Sequence, residues 1–565
     1  MKPTMNTPRF ERRPLPSPEA ARLPLKARLL TSRGESVQEA LSLAQLPPPD
    51  GMLGLEAAAQ RIAQAIENGD RICIVADYDA DGATACAVAL RGLRLFGAKV
   101  LYAVPNRFTE GYGLSPALFE RVSLLRPGLL LTVDNGIASH EGIAAANEAG
   151  VPVIVTDHHL PGETLPPAAA IVNPNQPGCA FPSKNLAGVG VMFYVLAGLR
   201  RLYREREDPR GEVSLVSLID LVAVGTIADL VPLDRTNRII VQAGLERIRA
   251  RRACAGILKI FEAADRDPAK ATAGDLGFCV GPRINAAGRL EDAAVGIACL
   301  CTDDDEDAMR LAKSLHETNK SRKEVQASVE KEADAIAETI TAGDTYSLVV
   351  TDPDWHEGVV GIVAGRLKEK YRRPAVVFTA ASDACLKGSC RSIAGLHIRD
   401  ALAAVDRELP GAIVRFGGHA MAAGLTLHAD RLDAFKAAFE RYCRSMLKPE
   451  DLEEVIIHDG PLTAEDLNLD DAAWMSTAVW GQAFPPPTFL TEGRVKAIRL
   501  LKEKHTKLTI DVGGKLIDAI LFNNVLPEYE TVLVHGRLEV NEWNERRSLQ
   551  IIASHIFPPA QHRAA

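Results

Sequence analysis

Three features of the sequence predict an α/β protein with an all-β appendage. Short apolar strands alternate with amphipathic helices from RICIVAD (71–77) to AAIVN (169–173), which implies a mainly parallel sheet covered by helices. The stretch Asp303 to Ile340 runs 38 residues without proline or glycine, long enough for an interdomain strut, and its acids crowd the end where a helix dipole favours them. A second, smaller α/β segment begins at SLVVTD (347–352). Beyond Val455, VIIHDG, GRVKAIRLL, KLTIDVGG, KLIDAILF, TVLVHGRLEV and SLQIIASHI read as short strands between turns, for which an OB-fold barrel is the leading candidate.

Taken in order, residues 1–48 are rich in proline and arginine and read as an arm. Residues 49–250 hold the parallel sheet, 251–342 a helical connector, 343–448 the second α/β domain and 449–565 the barrel. Four folded units suit 565 residues. The first twenty residues have basic side chains but no apolar core, so no signal peptide is expected. The apolar run Leu186 to Leu199 falls short of the ~20 residues of a membrane span. Ten scattered cysteines with no C-x-x-C pair suit reduced thiols, and together these point to a cytoplasmic, non-membrane protein. The net charge of −8 does not announce a polyanion partner, yet Gly493 to Ile510 gathers Arg494, Lys496, Arg499, Lys502, Lys504 and Lys507 against one acid, Glu503. For phosphate contacts a local patch of this kind matters more than the overall sign.

The first strand runs into VADYDADG, with Asp77, Asp79 and Asp81 at every second position. Ionised, they repel one another, so a cation is expected among them. The spacing matches the start of an EF-hand, but position twelve is Val88 and the preceding segment reads as a strand, so that reading fails. The alternative places Asp77 and Asp79 on one face at the carboxyl edge of a sheet, where open α/β folds bind their ligands. Later strands end alike: LLLTVDNG in Asp134, VIVTDHH in Asp157, His158 and His159; and the apolar run LVAVGTIADL carries Asp229. Aspartates with one or two histidines suit Mn²⁺ or Mg²⁺ better than zinc. An excess of carboxylates suggests two ions bridged by one aspartate, an arrangement that activates water for phosphoester hydrolysis.

These residues resemble the DHH phosphoesterase superfamily. Asp157-His158-His159 is its signature, and VADYDADG, VDNG and GTIADLVPL match its other motifs in order. WHEGVVGIVAGRL (355–367), GSCRS (388–392) and GGHAMAAG (417–424) resemble the associated DHHA1 domain. With the barrel added, the chain is similar to the superfamily's single-strand-specific 5′→3′ exonucleases. The resemblance implies that Asp77, Asp79, Asp134, His158 and Asp229 hold two Mn²⁺ or Mg²⁺ ions, with Asp134 bridging. It puts His159 against the scissile phosphate, with Asp81 and Asp157 orienting loops and ligands. Many relatives have histidine two residues before the first aspartate; Val75 stands there here.

The resemblance also assigns residues to the strand. Arg107 and Tyr112, in RFTEGYGL (107–114), would meet the 5′-terminal phosphate and stand at the entrance. Ser389 and Arg391 would complete the 5′-phosphate pocket. Arg283 and Asn285 would contact the strand, whereas Arg289 could equally be a structural ion-pair partner. Gly417, Gly418 and His419 would let backbone amides approach phosphate, and His356 and Gly358 precede a helix whose N-terminus can receive an anion. Trp543 or Phe522 would hold unstacked bases on the barrel, or else lie in its core. Single-stranded DNA is the implied substrate, with single-strand-binding protein and a RecQ-type helicase as partners and the chain itself a monomer. Two rival readings are a DHH-type phosphodiesterase of nanoRNA or cyclic dinucleotides, and a non-enzymatic single-strand-binding scaffold. The retained acids favour catalysis over the scaffold.

Overall fold

The computed structural model describes residues 8–37, 40–106, 110–290, 293–341, 343–381, 384–543 and 546–559. A short strand, β1 (Arg9–Arg12), precedes the five strands of the first sheet: β2 (Arg71–Ala76), β3 (Lys99–Ala103), β4 (Leu129–Val133), β5 (Val153–Thr156) and β6 (Ala170–Val172). They lie side by side in the order β3-β2-β4-β5-β6, every pair parallel. The chain leaves β2 for one neighbour, β3, and returns beyond it to the other, β4. The carboxyl ends of β2 and β4 therefore flank the switch point of a doubly wound sheet, the place where such folds bind ligands. Both faces are covered. Ile72, Ile74 and Ala76 pack against one helical layer and Cys73 and Val75 against the other, so β2 reads as an unbroken apolar run rather than an alternation.

The charged stretch forms one helix, Asp305–Thr341, about 55 Å long at 1.5 Å per residue. Its first turns place Leu311, Ala312 and Leu315 in the core of the first domain. Its last turns place Val329, Ala333 and Ala337 in the core of the second. One helix thus fixes two domains to each other through two apolar stripes. The second sheet joins β7 (Leu348–Thr351), β8 (Ala375–Ala380), β9 (Cys385–Arg391), β10 (Ile413–Gly418) and β11 (Ala422–His428) in the order β10-β11-β9-β8-β7, with only β7 and β8 parallel.

After β12 (Val455–His458), the tail closes a five-stranded barrel from β13 (Phe489–Leu501), β14 (His505–Val512), β15 (Lys515–Leu521), β16 (Thr531–Trp543) and β17 (Arg546–Phe557). Its order, β13-β14-β15-β17-β16, with β15 and β17 parallel, is the Greek-key closure expected of an OB-fold.

The arm does not hang free. β1 pairs in parallel with β12, Phe10 packs on Phe557, and Leu25 and Leu29 sit in the barrel core. Arg33 grips Asp459 with two hydrogen bonds of 2.8 and 2.9 Å, both side chains nearly inaccessible to water.

Candidate metal centre and strand cleft

Asp77 directly follows β2, and Asp79 is the N-cap of the helix Ala80–Leu95, accepting from the Gly82 amide at 3.0 Å. The turn, not strand alternation, brings the two together, because β2 ends at Ala76. Asp134 follows β4 at φ +61°, a left-handed conformation costly for a non-glycine residue and characteristic of functional sites. Gly188 makes room for it: a Cβ there would stand 2.6 Å from the Asp134 Cβ. His158 follows β5, and Asp229 caps the C-terminus of the helix Ile219–Ala228.

Ligand atoms of Asp77, Asp79 and Asp134 lie within 4.8 Å of one another, as do those of Asp81, His158 and Asp229, and of Asp134, His158 and His159. His158 Nε2 stands 3.2 Å from Asp134 Oδ1 and 3.4 Å from Asp229 Oδ2. Asp134 Oδ1 and His158 Nε2 are buried without a well-formed hydrogen bond. Burial, then the charges of Asp81, Asp79 and Asp229, hold the Asp134 carboxyl well above its usual range. Burial with Asp81 and Asp79 raises Asp229 to about 9. Carboxylates so crowded ionise together only around cations. Burial keeps the His158 imidazole neutral, down to about 4, the form in which a ring nitrogen can offer its lone pair to an ion. Oxygen donors with one imidazole fit Mn²⁺ or Mg²⁺.

The supporting residues are as ordered as the ligands. Asp81 accepts from the amides of Gly188 (2.6 Å) and Val189 (2.9 Å), tying the first helix to a second helix N-terminus. Asp157 accepts from the amides of Ile137, His158 and His159 and from His159 Nδ1 at 2.7 Å. Burial alone would lower His159, but Asp157 raises it to about 9. Val75 is fully buried in the apolar layer on the far side of the sheet, so that position offers no ligand. Two residues escaped the sequence reading. Asn175 donates to the His158 carbonyl at 2.6 Å and Asn173 to the His159 carbonyl at 2.9 Å, clamping the histidine loop from behind. An N-P-N at a strand end (173–175) is the signal that could have found them.

Comparison with known proteins agrees with this geometry. Residues 71–226 match the N-terminal domain of the DHH family, 344–445 the DHHA1 domain and 458–555 the RecJ OB domain. The single-stranded-DNA-specific exonuclease RecJ of Salmonella typhimurium is 44% identical over 95% of this chain and 96% of its own length, and that of Escherichia coli likewise 44% over 95% and 96%. This chain belongs to the RecJ family. RecJ of Thermus thermophilus, solved in complex with Mn²⁺, superposes with a TM-score of 0.78 at 30% identity, covering 98% of this chain and 80% of that one. Its complex with Mg²⁺ gives 0.73 at 28% identity, covering 98% and 78%.

Across from the metal centre of this RecJ-family chain stands the DHHA1 domain. His419 lies close enough to His159 for that charge, together with burial, to lower its pKa. Gly418, at φ +144°, forms the tight turn before it: a Cβ there would meet the Ala422 carbonyl at 2.5 Å. The His419 amide bonds that same carbonyl at 2.8 Å, so it is engaged in the turn and not presented to a ligand. Gly417 pairs with Gly424 and has open space where a Cβ would stand. Ser389 and Arg391 alternate along β9 towards the helix Glu357–Tyr371, where both approach Gly361. His356 caps that helix, accepting from Gly358 at 3.0 Å. Beside them, Lys387, Ser389, Arg415 and Gly417 line a groove of about 400 Å³.

Tyr112, half-exposed, donates to the Asp134 carbonyl at 3.0 Å and packs edge-on against His159, which puts it over the metal centre. Two residues assigned to the strand also have protein partners. Arg283 is buried, bonding the Cys279 carbonyl at 2.8 Å and His316 at 3.2 Å, while its buried Nε has no hydrogen-bond partner among the described residues. Asn285 accepts from the Ala80 amide at 2.8 Å and thereby braces the turn carrying Asp79. Arg107 lies outside the described residues, as do the side chains of Arg289 and Trp543. Phe522 is half-exposed on the barrel against His505, not in the core.

Proposed function

We infer that this chain degrades single-stranded DNA from its 5′ end, hydrolysing phosphodiester bonds with two divalent ions, Mn²⁺ or Mg²⁺, and releasing 5′-mononucleotides. The observation that carries the reading is the buried Asp134–His158 pair, whose facing atoms lack hydrogen bonds inside a shell of further carboxylates. Asp77, Asp79, Asp134, His158 and Asp229 would hold the ions, with Asp134 shared between them. Two such ions supply an activated water and neutralise the attacking and leaving oxygens of an in-line displacement. The protein's own residues then orient the reaction. His159, fixed by Asp157, stands ready for the scissile phosphate, and Tyr112 closes over it. Ser389 and Arg391 would take the terminal 5′-phosphate, a hydroxyl and a guanidinium supplying charge-assisted bonds. Gly417, Gly418, His419 and His356 border that pocket. A closed phosphate pocket admits only a 5′ end, which sets the polarity.

An enzyme confined to single strands needs another protein to open duplex DNA. This supports a RecQ-type helicase and single-strand-binding protein as partners, acting with a monomer in the cytoplasm during repair and recombination. No described helix is long and apolar enough to cross a membrane. The domain division 49–250, 251–342, 343–448 and 449–565 accompanies this reading, supported by the family matches within three of the four segments. The test is a time course on linear, circular, 5′-blocked and 3′-blocked single strands with Mn²⁺. Only circles and 5′-blocked strands should survive; digestion of circles, or protection by the 3′ block alone, refutes the 5′ pocket.

A further inference from the structure

On the second sheet, two cations stand beyond the residues proposed for the terminal phosphate. β9, β10 and β11 turn Cys390, Phe416, Leu425 and Leu427 into the core of the DHHA1 domain. Their alternate residues, Ser389 and Lys387, Gly424 and Thr426, Arg415 and Gly417, face the other way and line the groove of about 400 Å³ beside the helix Glu357–Tyr371. Register sets their places. Arg415 pairs with Thr426 and Thr426 with Lys387, so the two cations flank a hydroxyl, roughly 10 Å apart at two strand spacings. Gly417 pairs with Gly424 and Gly424 with Ser389, which leaves a floor without bulky side chains one step nearer the cleft.

The order along β9 gives the groove a direction. Arg391 pairs with Ala422, at the end of the turn whose His419 feels the charge of His159. Ser389 comes next, and Lys387 lies two residues further from the metal centre, roughly 7 Å beyond Ser389. That step is the reach of one or two more phosphates. The groove has the size of a small-ligand site, not of a strand. Its charges then select the ligand. Arg415 is exposed, and among the described residues it makes no ion pair or hydrogen bond. Lys387 pairs with Glu357 at 2.7 Å, both side chains partly open to water. Such a pair is weak, so a ligand with several negative charges can draw Lys387 away from it. A solvated arginine alone would mean nothing. An arginine and a lysine facing each other across a hydroxyl and a glycine floor, in line with Ser389 and Arg391, form a site for consecutive phosphates.

We propose that this groove extends the terminal-phosphate pocket to single strands that carry a 5′-triphosphate. The α-phosphate lies at Ser389 and Arg391, and the β- and γ-phosphates lie among Lys387, Thr426 and Arg415. The proposal rests on the exonuclease reading and deepens it by adding a second class of strand end. The reaction itself is unchanged. Water adds to the phosphorus between the first two nucleotides, and the bond to the 3′ oxygen of the first one breaks. That oxygen takes up a proton, and the second nucleotide keeps the phosphate. The first product is then a nucleoside triphosphate, and each later one a 5′-mononucleotide. Such ends arise where a polymerase starts a strand from a nucleoside triphosphate, so a reaction of that class must supply this substrate.

The test uses one synthetic single strand bearing a 5′-monophosphate or a 5′-triphosphate and measures binding in EDTA, so that nothing is cut. The wild type should hold the triphosphate strand about ten-fold more tightly, as added charge-assisted bonds require. Arg415→Gln and Lys387→Gln should each remove most of that advantage, and Arg415→Gln should leave the monophosphate strand bound as before. Inorganic triphosphate should compete far more weakly than the triphosphate strand, because the site is completed by the chain attached to it. Three results would each overturn the proposal: no advantage for the triphosphate in the wild type, equal losses for both strands in Arg415→Gln, or inorganic triphosphate competing as well as the strand. With Mn²⁺ the first product from the triphosphate strand should be a nucleoside triphosphate; a triphosphate strand left intact while the monophosphate strand is digested overturns the proposal too. Failure to digest the monophosphate strand refutes the exonuclease reading instead, and the binding comparison still decides what the groove holds.

Discussion

The candidate metal centre and the DHHA1 side proposed for the 5′-phosphate hold their side chains in contrasting ways. On the first, Asp81 and Asp157 are locked by backbone amides, and both histidine carbonyls are gripped by asparagines. On the second, among the described residues Arg391 donates only to its own neighbour's carbonyl, Cys390, and Lys387 reaches Glu357 in an exposed pair. Metal ligands must meet at one point before the ion arrives, so their order has to be built in. Phosphate-binding side chains need donors left over for the ligand. Arg391, proposed for that role, has one nitrogen engaged and a pKa lowered by burial, which makes it a partly desolvated cation.

The contrast can be broken most severely at Asp134. Asp134→Asn is expected to lower single-turnover hydrolysis by about 10³-fold or more, as loss of a shared metal ligand and its charge requires. The same change relieves crowding among buried carboxylates, so metal-free Tm should rise, by roughly 2–4 °C per kcal/mol recovered. Calorimetry in EDTA checks this, and a fall in Tm would mean the acids are not strained. Next comes Arg391→Ala, which should remove about 10–100-fold of the preference for a 5′-phosphate over a 5′-hydroxyl in competition assays, with metal affinity untouched. Equal losses of both would show that the walls are not independent.

Asn175→Ala sharpens the comparison from behind the metal. Freed of its clamp at 2.6 Å, His158 should lose about ten-fold in Mn²⁺ affinity, read by titration calorimetry. The smallest effect on activity should come from His535, remote from both walls. It is 5% exposed, and burial beside His555 and His458 lowers it to about 4 from an ordinary 6.5. Between those values the unfolded chain binds a proton that the folded barrel refuses. Stability is therefore intact above about pH 6.5 and declines as pH falls towards 4. In His535→Gln that decline should be shallower in thermal melts across the range.

The sheet and the acids were legible because their signals are local. The strands β2, β4 and β5 are apolar runs that each lead into candidate ligands, and the helix Asp305–Thr341 is uninterrupted in sequence as in space. Asp77, Asp134 and His158 converge because they follow strands of one doubly wound sheet, and Asp79 and Asp229 join them from the ends of two helices. What escaped is whatever depends on distant partners. Nothing around Arg283 signals that its guanidinium meets His316 on another helix, and nothing in the arm signals that Leu25 and Leu29 complete a core formed some 450 residues later. The turn of Gly418 likewise consumes the His419 amide through a bond to Ala422, which paired glycines alone do not reveal.

The pairing of β1 with β12 also governs how the molecule is made. Phe10 leaves the ribosome hundreds of residues before His535, His555 and Phe557, the rings that cover it. At about 5–20 residues per second, β1 waits roughly 20–90 s for β12 alone to be synthesised. Throughout that interval Phe10, Leu25 and Leu29 lack the barrel side chains that cover them in the finished fold. A chain that stops before the barrel leaves those three side chains without the cores they complete.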